Sequence, residues 1–480
     1  MLIQRTMVLQ SGEKMKLVGK QYDKMYEIVA AIAQHHGRAL LVGGAVRDLS
    51  FDKLRMSGGT QVKDIDIEVH GLTEDQLEQI LKQFGPVSLV GKAFGVLRVH
   101  GLDIDWSLPR ADSSGRKPTV VIDPHMSIET AARRRDLTMN AMALDLVTGE
   151  LLDPCGGMND IKDKVLRTPD ARFFIQDPLR FYRVMQFIGR FEMYPDEELN
   201  TVCSQMDISH ISRERIEEEF KKLLLLSARP SLGIRWLHAI GRLREVLPEL
   251  AATVGVEQNP QWHPEGDVFE HTMQALDAAA IIAEKYDNEF DKLVLLYAAL
   301  CHDLGKVTKT REVNGVIKSI GHEKDSKIFA RTMLKRITHN IDLIDAVSSL
   351  VLYHMIPLQF VANKAKLPAY KKLANKLYYK VNILKLIDLC IADKRGRNGK
   401  SHEPLTCDFS DVEIFRNNVE QAGVATNKIE PLLKGADMSD VVKPGPEMGR
   451  LLRLAYEQQI DHNITDKDVL KEYVIKMIKK

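Results

Sequence analysis

Apolar and polar positions follow two different rhythms along the chain. From about residue 22 to 147, short β-rich runs recur at Ala39 to Val42, Asp64 to Val69, Val87 to Val90, Val96 to Val99 and Leu102 to Trp106. Helical spacing lies between them. In Glu74 to Phe84, for instance, Leu77, Ile80 and Leu81 share one helical face. From Asp170 onward nearly every apolar position recurs at helical steps, with Leu179, Val184, Phe187 and Phe191 following Pro178, then Ile211 to Leu225 and Leu232 to Leu247. Val254 to Pro264 holds Asn259-Pro260 and His263-Pro264 and reads as a linker. Another helical block runs to about Arg397, and a charged, loosely patterned tail follows. The predicted class is α+β. It has an α/β head at 22–147, a helical neck and body at 148–254, an all-helical domain at 255–400 and a C-terminal helical extension at 401–480.

Composition adds bounds rather than a function. With 480 residues, 44% hydrophobic and 28% charged, the chain should hold several cores and little disorder. A net charge of +1 leaves any polyanion to be met by local basic patches. Five scattered cysteines without CxxC spacing fit reduced thiols. No uninterrupted apolar run approaches the roughly 18 residues of a membrane span, and the opening residues lack a charged-then-apolar signal. We therefore expect a cytoplasmic chain with no membrane partner.

The first chemical constellation is Leu41-Val42-Gly43-Gly44-Ala45-Val46-Arg47-Asp48, a strand running through two glycines into a helix. Gly43 and Gly44 let the backbone approach a phosphate closely, the helix start offers free N–H groups, and Arg47 can add a charge-assisted contact. A plain strand–turn–helix junction uses the same residues. Downstream, Asp64-Ile65-Asp66 places two carboxylates on one strand face, with Ile65 and Ile67 on the other. Like charges so placed call for a cation, and oxygen ligands suit Mg²⁺. Leu102-Asp103-Ile104-Asp105-Trp106 repeats the alternation. Asp105, in preference to Asp103, completes a three-carboxylate site if the two strands are neighbours.

These residues closely resemble the nucleotidyltransferase signature of the class II CCA-adding enzyme and bacterial poly(A) polymerase family, within the polymerase-β superfamily. Three further blocks fit in order. Arg134-Arg135-Asp136-Leu137-Thr138-Met139-Asn140-Ala141 resembles the family's RRDFTINA block. Asp153-Pro154-Cys155-Gly156-Gly157-Met158-Asn159-Asp160 resembles its DPxGGxxD turn, and Gln176-Asp177-Pro178-Leu179-Arg180-Phe181-Tyr182-Arg183 its EDPLRxxR block. The resemblance covers residues from about 25 to 250. It implies a polymerase-β-like head adding C and A to a tRNA 3′ end from CTP and ATP, without a template. It also implies that Asp64, Asp66 and Asp105 hold magnesium, that Arg135 holds triphosphate or ribose, and that Asn140 supports the sugar or the strand. Asp136 and Arg183 are carried over as nucleotide contacts. Asp177 and Arg180, three apart on a helix, would read the base edge that cytosine and adenine share; an ordinary salt bridge has the same spacing. The chain departs from the family at Gln176, where Glu is usual, and at Phe51 to Thr60, which reads as an inserted loop. Val90-Gly91-Lys92-Ala93-Phe94-Gly95-Val96 looks more like the CCA-adding version than the poly(A)-adding one.

In the second helical domain, Cys301-His302-Asp303-Leu304-Gly305-Lys306 sits in apolar helical surroundings. Unpaired buried charge there is expensive, so imidazole–carboxylate ligation of a divalent transition metal is the natural use. The ordered set of His271, His302, Asp303 and Asp393, with His322 and His354 as auxiliary ligands, resembles the HD phosphohydrolase superfamily. That resemblance implies hydrolysis of phosphomonoesters or cyclic phosphodiesters. Lys364, Lys366, Lys371, Lys372, Lys376 and Lys380, interleaved with Tyr370, Tyr378 and Tyr379, can track RNA; they can equally be a solvated helix face with core tyrosines.

The leading expectation is a full CCA-adding enzyme with an HD hydrolase domain. Partial CC-only or A-only addition and poly(A) synthesis are rivals within the class. A catalytically silent nucleotide sensor is the rival from outside it.

Overall fold

The computed structural model describes residues 7–8, 14–15, 20–55, 65–90, 95–112, 120–378 and 380–478. The chain divides into two compact units, Met1–Ser212 and Arg213–Lys480. That division falls inside the stretch 148–254.

The first unit is built on a seven-stranded sheet. Its strands are β1 (Arg38–Val42), β2 (Ile65–His70), β3 (Val87–Val90), β4 (Val96–Val99), β5 (Ile104–Ser107), β6 (Ala143–Asp145) and β7 (Leu151–Leu152), in the order β7-β6-β1-β2-β5-β4-β3. Alternation sets its faces. In β2, Ile65 and Ile67 are buried while Asp66 is exposed, and Trp106 of β5 is wholly buried beside Ile67. The helix Glu74–Lys82 starts where expected, because Thr73 and Gln76 form a reciprocal capping box, and it buries Leu77, Ile80 and Leu81. Two strands of this sheet escape the sequence reading. β6 and β7 are too short for periodicity to show, and β7 lies beyond residue 147. The expected inserted loop also needs correction. Phe51–Arg55 continues the helix Gly44–Arg55, and Phe51 stacks on Phe191 at 4.5 Å. Residues 56–60 lie outside the described residues, as do Lys92, Ala93 and Phe94.

Among its described residues the second unit is helical, save for one hairpin, Arg311–Val313 with Val316–Lys318. That turn is Asn314-Gly315, both at positive φ, the backbone a tight two-residue hairpin requires. The helices Val268–Ala283, Glu289–Cys301, His322–Ile337, Ile341–Tyr353 and Ile383–Arg395 enclose the main core. Among the described residues one stretch, Ile341–Ala362, is long and apolar enough to cross a membrane; it is half buried and breaks after Tyr353. Val254 to Pro264 is no loose connector. Gly255 donates to the Asp267 carboxylate, and Val268 donates its N–H to the Val256 carbonyl. The tail is ordered into the helices Ser410–Gln421, Pro446–Asp461 and Lys467–Ile478, with a small core that includes Leu451, Leu470 and Val474. Lys371, Lys372 and Lys380 are bonded to Asn463, Asp461 and Asp345, and Tyr370 is buried. Much of the basic, tyrosine-containing stretch is thus a paired helix face.

Candidate functional site

In the first unit strand register assembles the acidic site. Val42 lies opposite Asp66 in the antiparallel β1–β2 pair, and Asp66 lies directly beside Asp105 in the parallel β2–β5 pair. Asp66 and Asp105 therefore share a row and a face of the sheet. Gly43, one residue past Val42, turns at φ +72°, and a Cβ there would lie 3.7 Å from an Asp66 carboxylate oxygen. Glycine takes this turn without strain. It brings the start of the helix Gly44–Arg55 to the acidic pair. Asp64 lies outside the described residues. Asp105 is about a third exposed and carries a counter-charge that the sequence reading missed: Arg98, opposite it on β4, bonds it at 2.6 and 2.7 Å.

Glu68, also missed, follows Asp66 on the same strand face. It accepts from Arg135 at 2.9 Å and pairs with His70 at 3.0 Å. Burial pushes its carboxyl upward, but the Arg135 charge and the His70 bond bring it below its ordinary range. A β-strand alternates faces, so Asp64-x-Asp66-x-Glu68 was the available signal.

A second network gathers Arg47, Asp136, Asn140 and Arg183. Arg47 is buried, donates to Asn140 at 2.9 Å and Asp48 at 2.8 Å, and lies over the rings of Phe187 and Phe191. Asn140 donates to Asp136 at 3.0 Å, and Arg183 donates to the same carboxylate at 2.6 Å. Burial would raise Asp136, yet the Arg183 charge and the Asn140 bond hold it at about 2. The DPxGGxxD-like turn braces this network. Asp153 accepts from the N–H groups of Gly157 and Met158, and Asp160 accepts from the Thr138 hydroxyl beside Asn140.

Asp177 and Arg180 do not share a helix. The helix begins at Leu179, after Pro178, and Asp177 precedes it with its carboxylate accepting from the Leu179 N–H. Proline is favoured at a helix start and disfavours helix in the residue before it, so the boundary falls between the two residues. Arg180 donates to the carbonyls of Phe173 at 2.8 Å and Arg134 at 2.7 Å, which orients its guanidinium.

The second unit holds a buried histidine–carboxylate cluster. His271 sits in the first turn of Val268–Ala283, His302 and His354 end their helices, His322 begins one, and Asp393 lies in the last turn of Ile383–Arg395. Each outer ring nitrogen is held. Nδ1 of His302, His322 and His354 meets the carbonyls of Ala299, Ser319 and Val351 at 2.8, 2.7 and 2.7 Å; that of His271 meets Glu265 at 2.7 Å. These oxygens only accept, so Nδ1 bears the proton and Nε2 turns a lone pair inward. The Nε2 atoms of His271 and His302 are 3.2 Å apart, and those of His322 and His354 are 3.1 Å apart. Facing lone pairs at that range repel unless a cation lies among them.

Asp303 joins the two pairs. One oxygen faces His322 at 3.0 Å and His354 at 3.7 Å; the other faces His302 at 3.3 Å and His271 at 3.6 Å. The result is two metal-capable sets sharing one carboxylate, so His322 and His354 stand on the same footing as His271 and His302. Asp393 lies 3.2 Å from His271, and Lys306 and Arg397 bond Asp303 and Asp393 at 2.6 and 2.7 Å. Burial works against the charge on Asp303, but the adjoining His302 ring and the Lys306 ammonium hold its carboxyl well below the usual range, and Arg397 does the same for Asp393. Burial and the neighbouring imidazoles push His354 down to about 3.

Gly305 lets this cluster close. A Cβ there would meet the His322 carbonyl at 2.2 Å, so only glycine admits the helix carrying His322. Glu265 and His263, within the stretch taken as a linker and its edge, were missed as site residues. Glu265 bonds His271 and, at 2.9 Å, His263. Despite burial, these bonds hold it at about 2.

Strand-end carboxylates beside a glycine turn, and a bridged histidine–aspartate cluster, define a nucleotidyltransferase head and an HD domain. Residues 39–167 match the poly(A) polymerase head domain, 202–253 the probable RNA- and SrmB-binding site of polymerase A, and 268–398 the HD domain. The chain is 34% identical over 374 residues to the multifunctional CCA protein of Pasteurella multocida, covering 75% of this chain and 84% of that one. It is 33% identical over 376 residues to the protein of that name from Mannheimia succiniciproducens, again at 75% and 84%. Its fold is similar to that of a CCA-adding enzyme solved with CTP (TM-score 0.63, 18% identity, 96% and 97% of the two chains covered). It is also similar to the Thermotoga maritima CCA-adding enzyme solved with tRNA (TM-score 0.60, 18% identity, 96% of each chain). The chain belongs to the multifunctional CCA protein family, whose members are CCA tRNA nucleotidyltransferases with an HD domain.

Proposed function

We propose that the head adds C and then A to tRNA from CTP and ATP, using magnesium held by Asp66, Asp105 and Asp64. The observation that supports this most is the register of Asp66 beside Asp105, next to the Gly43 turn. All-oxygen donors fit magnesium. The ion supplies charge relief for the attacking hydroxyl and the departing pyrophosphate. The tRNA 3′-oxygen forms a bond to the α-phosphorus, the bond to the pyrophosphate oxygen breaks, and the hydroxyl proton leaves to solvent. Around that step the glycine turn and helix start admit the triphosphate. Arg47, Asn140, Asp136 and Arg183 form a braced wall for the nucleotide, and Arg135, steadied by Glu68, meets phosphate or ribose. Asp177 accepts from the exocyclic amine shared by cytosine and adenine, and Arg180 donates to the adjoining ring atom.

The same reading assigns the segments 22–147, 148–254, 255–400 and 401–480 to head, base- and tRNA-binding neck and body, HD domain and extension. It places the enzyme in the cytoplasm. In the HD domain, imidazole nitrogens with a shared carboxylate fit a pair of divalent transition ions, which would activate water toward phosphomonoesters or cyclic phosphodiesters. Water oxygen bonds to phosphorus, the ester bond breaks, and a proton passes to the leaving oxygen.

The test is a product ladder on tRNA lacking its last three nucleotides and on tRNA ending in CC, each given CTP or ATP alone. Extension by two C with CTP, and by A only after CC, supports full CCA addition. A ladder that stops at CC in both nucleotides, activity only on the CC-ended substrate, or long A tails would each replace it with a rival. Asp177→Ala and Arg180→Ala should relax the choice between CTP and UTP by roughly tenfold or more; unchanged selectivity overturns the reader assignment.

A further inference from the structure

The HD cluster opens into a cavity of about 840 Å³, whose lining includes Asp303, His322, His354 and Asp393 together with Trp262 and Ile320. Of the chain's three tryptophans, Trp106 and Trp236 are buried, whereas Trp262 is 66% exposed. Ile320 is 72% exposed in the same cavity. Large apolar groups left in water beside a polar site cost hydration and point to a ligand with an apolar face.

The turn that carries Trp262 is also held in place. In it Gln261 donates to the Asn259 side chain at 3.0 Å, and the N–H groups of Trp262 and His263 both donate to the Asn259 carbonyl. The turn is tied to the cluster on both sides. Gln258 accepts from Lys306, which bonds Asp303, and His263 bonds Glu265, which bonds His271. The backbone that carries the Trp262 indole is thus tied to the framework that holds the metal-capable residues.

We propose that Trp262 is the specificity-determining residue of the HD site, stacking the base of a nucleoside phosphate whose ester phosphate meets the cluster, with Ile320 covering the base from the rim. This rests on the hydrolase reading above. Trp262 is then the residue that separates base-bearing phosphate esters from aliphatic ones, because a purine or pyrimidine has the flat π-face that a tryptophan stacks and a glycerol unit does not. Lys306 and Arg397, which line the cavity beside the carboxylates they bond, supply the positive charge a phosphate needs.

The full-length enzyme is assayed with Mn²⁺, Co²⁺, Ni²⁺ and Zn²⁺ in turn, on adenosine 2′-monophosphate and on glycerol 2-phosphate. Trp262→Ala should lower kcat/KM for the nucleotide roughly tenfold or more while leaving glycerol phosphate within about twofold, and Trp262→Phe should restore most of the loss. Equal loss on both esters would show a merely structural tryptophan and overturn the proposal. Undiminished preference would do the same. Tryptophan emission gives a readout without turnover: adenosine 2′-monophosphate should quench the wild type more than Trp262→Phe, and equal quenching counts against the stacking. If the wild type hydrolyses neither ester with any metal, the hydrolase reading falls, and the quench difference alone then decides whether Trp262 binds the base.

Discussion

The carboxylate pair of the head and the histidine–carboxylate cluster of the HD domain are built in opposite ways. In the head, Asp66 and Asp105 come together because two strands run parallel in register, and both remain open to solvent, with Arg98 resting on Asp105. In the HD domain the corresponding groups are buried, and each imidazole is locked through its outer nitrogen before any ligand arrives. The difference follows from the ligand chemistry. Hard oxygen donors on the open face of a sheet tolerate water and keep the site accessible. Imidazole ligation needs fixed tautomers and ring planes, which only a packed second layer provides.

The strongest way to break the contrast is to remove one ligand from each site. Asp66→Ala should reduce nucleotide incorporation by roughly 10³-fold or more, since metal stabilisation of a phosphoryl transition state is worth several kcal/mol. His302→Ala should abolish ester hydrolysis and leave incorporation unchanged. Primer-extension and phosphatase assays on both variants check this, and cross-damage would mean that the sites are not independent. Next in size is metal-linked stability. At a hundred- to thousandfold excess over Kd, the transition ion should stabilise the wild type by about 3–4 kcal/mol in thermal or urea unfolding, and Asp303→Asn should lose most of that gain. Glu265→Gln sharpens the comparison further. It keeps the HD ligands but weakens the partner of His271, so metal affinity should fall roughly 10- to 100-fold by titration calorimetry.

The smallest expected effect lies in the head. Asp136 titrates at about 2 against an ordinary 3.8. Its contribution of about 2 kcal/mol is therefore present above pH ~4 and drains away as the pH falls toward ~2. Asp136→Asn should lack that acid limb in urea midpoints measured from pH 5 to 2. An unchanged limb would mean that other carboxylates carry it.

The acidic row was legible because a strand's period is two and Asp64-Ile65-Asp66 and Asp103-Ile104-Asp105 state it openly. The HD set was legible because a histidine–aspartate pair in apolar helix has few other uses. The boundary at Pro178 shows where spacing misleads. Asp177 and Arg180 are three apart, yet one precedes the helix and the other lies within it. Val254 to Pro264 failed differently: its turn-forming dipeptides did mark turns, but Glu265 just beyond them is buried against His271. Composition within a short window carries no information on what will pack over it.

Local chemistry in the chain settled the α+β division and the glycine turn, and it pointed to the carboxylate alternation and the candidate metal ligands, since each depends on neighbours a few positions away. Register, partner choice and rank among ligands belonged to the tertiary structure. Asp66 meets Asp105, Arg98 meets Asp105, and Asp303 joins four histidines only because long-range packing excludes the other pairings. That selection comes from burying Ile67, Trp106 and the apolar helix faces together, a non-local gain that no short stretch of sequence expresses.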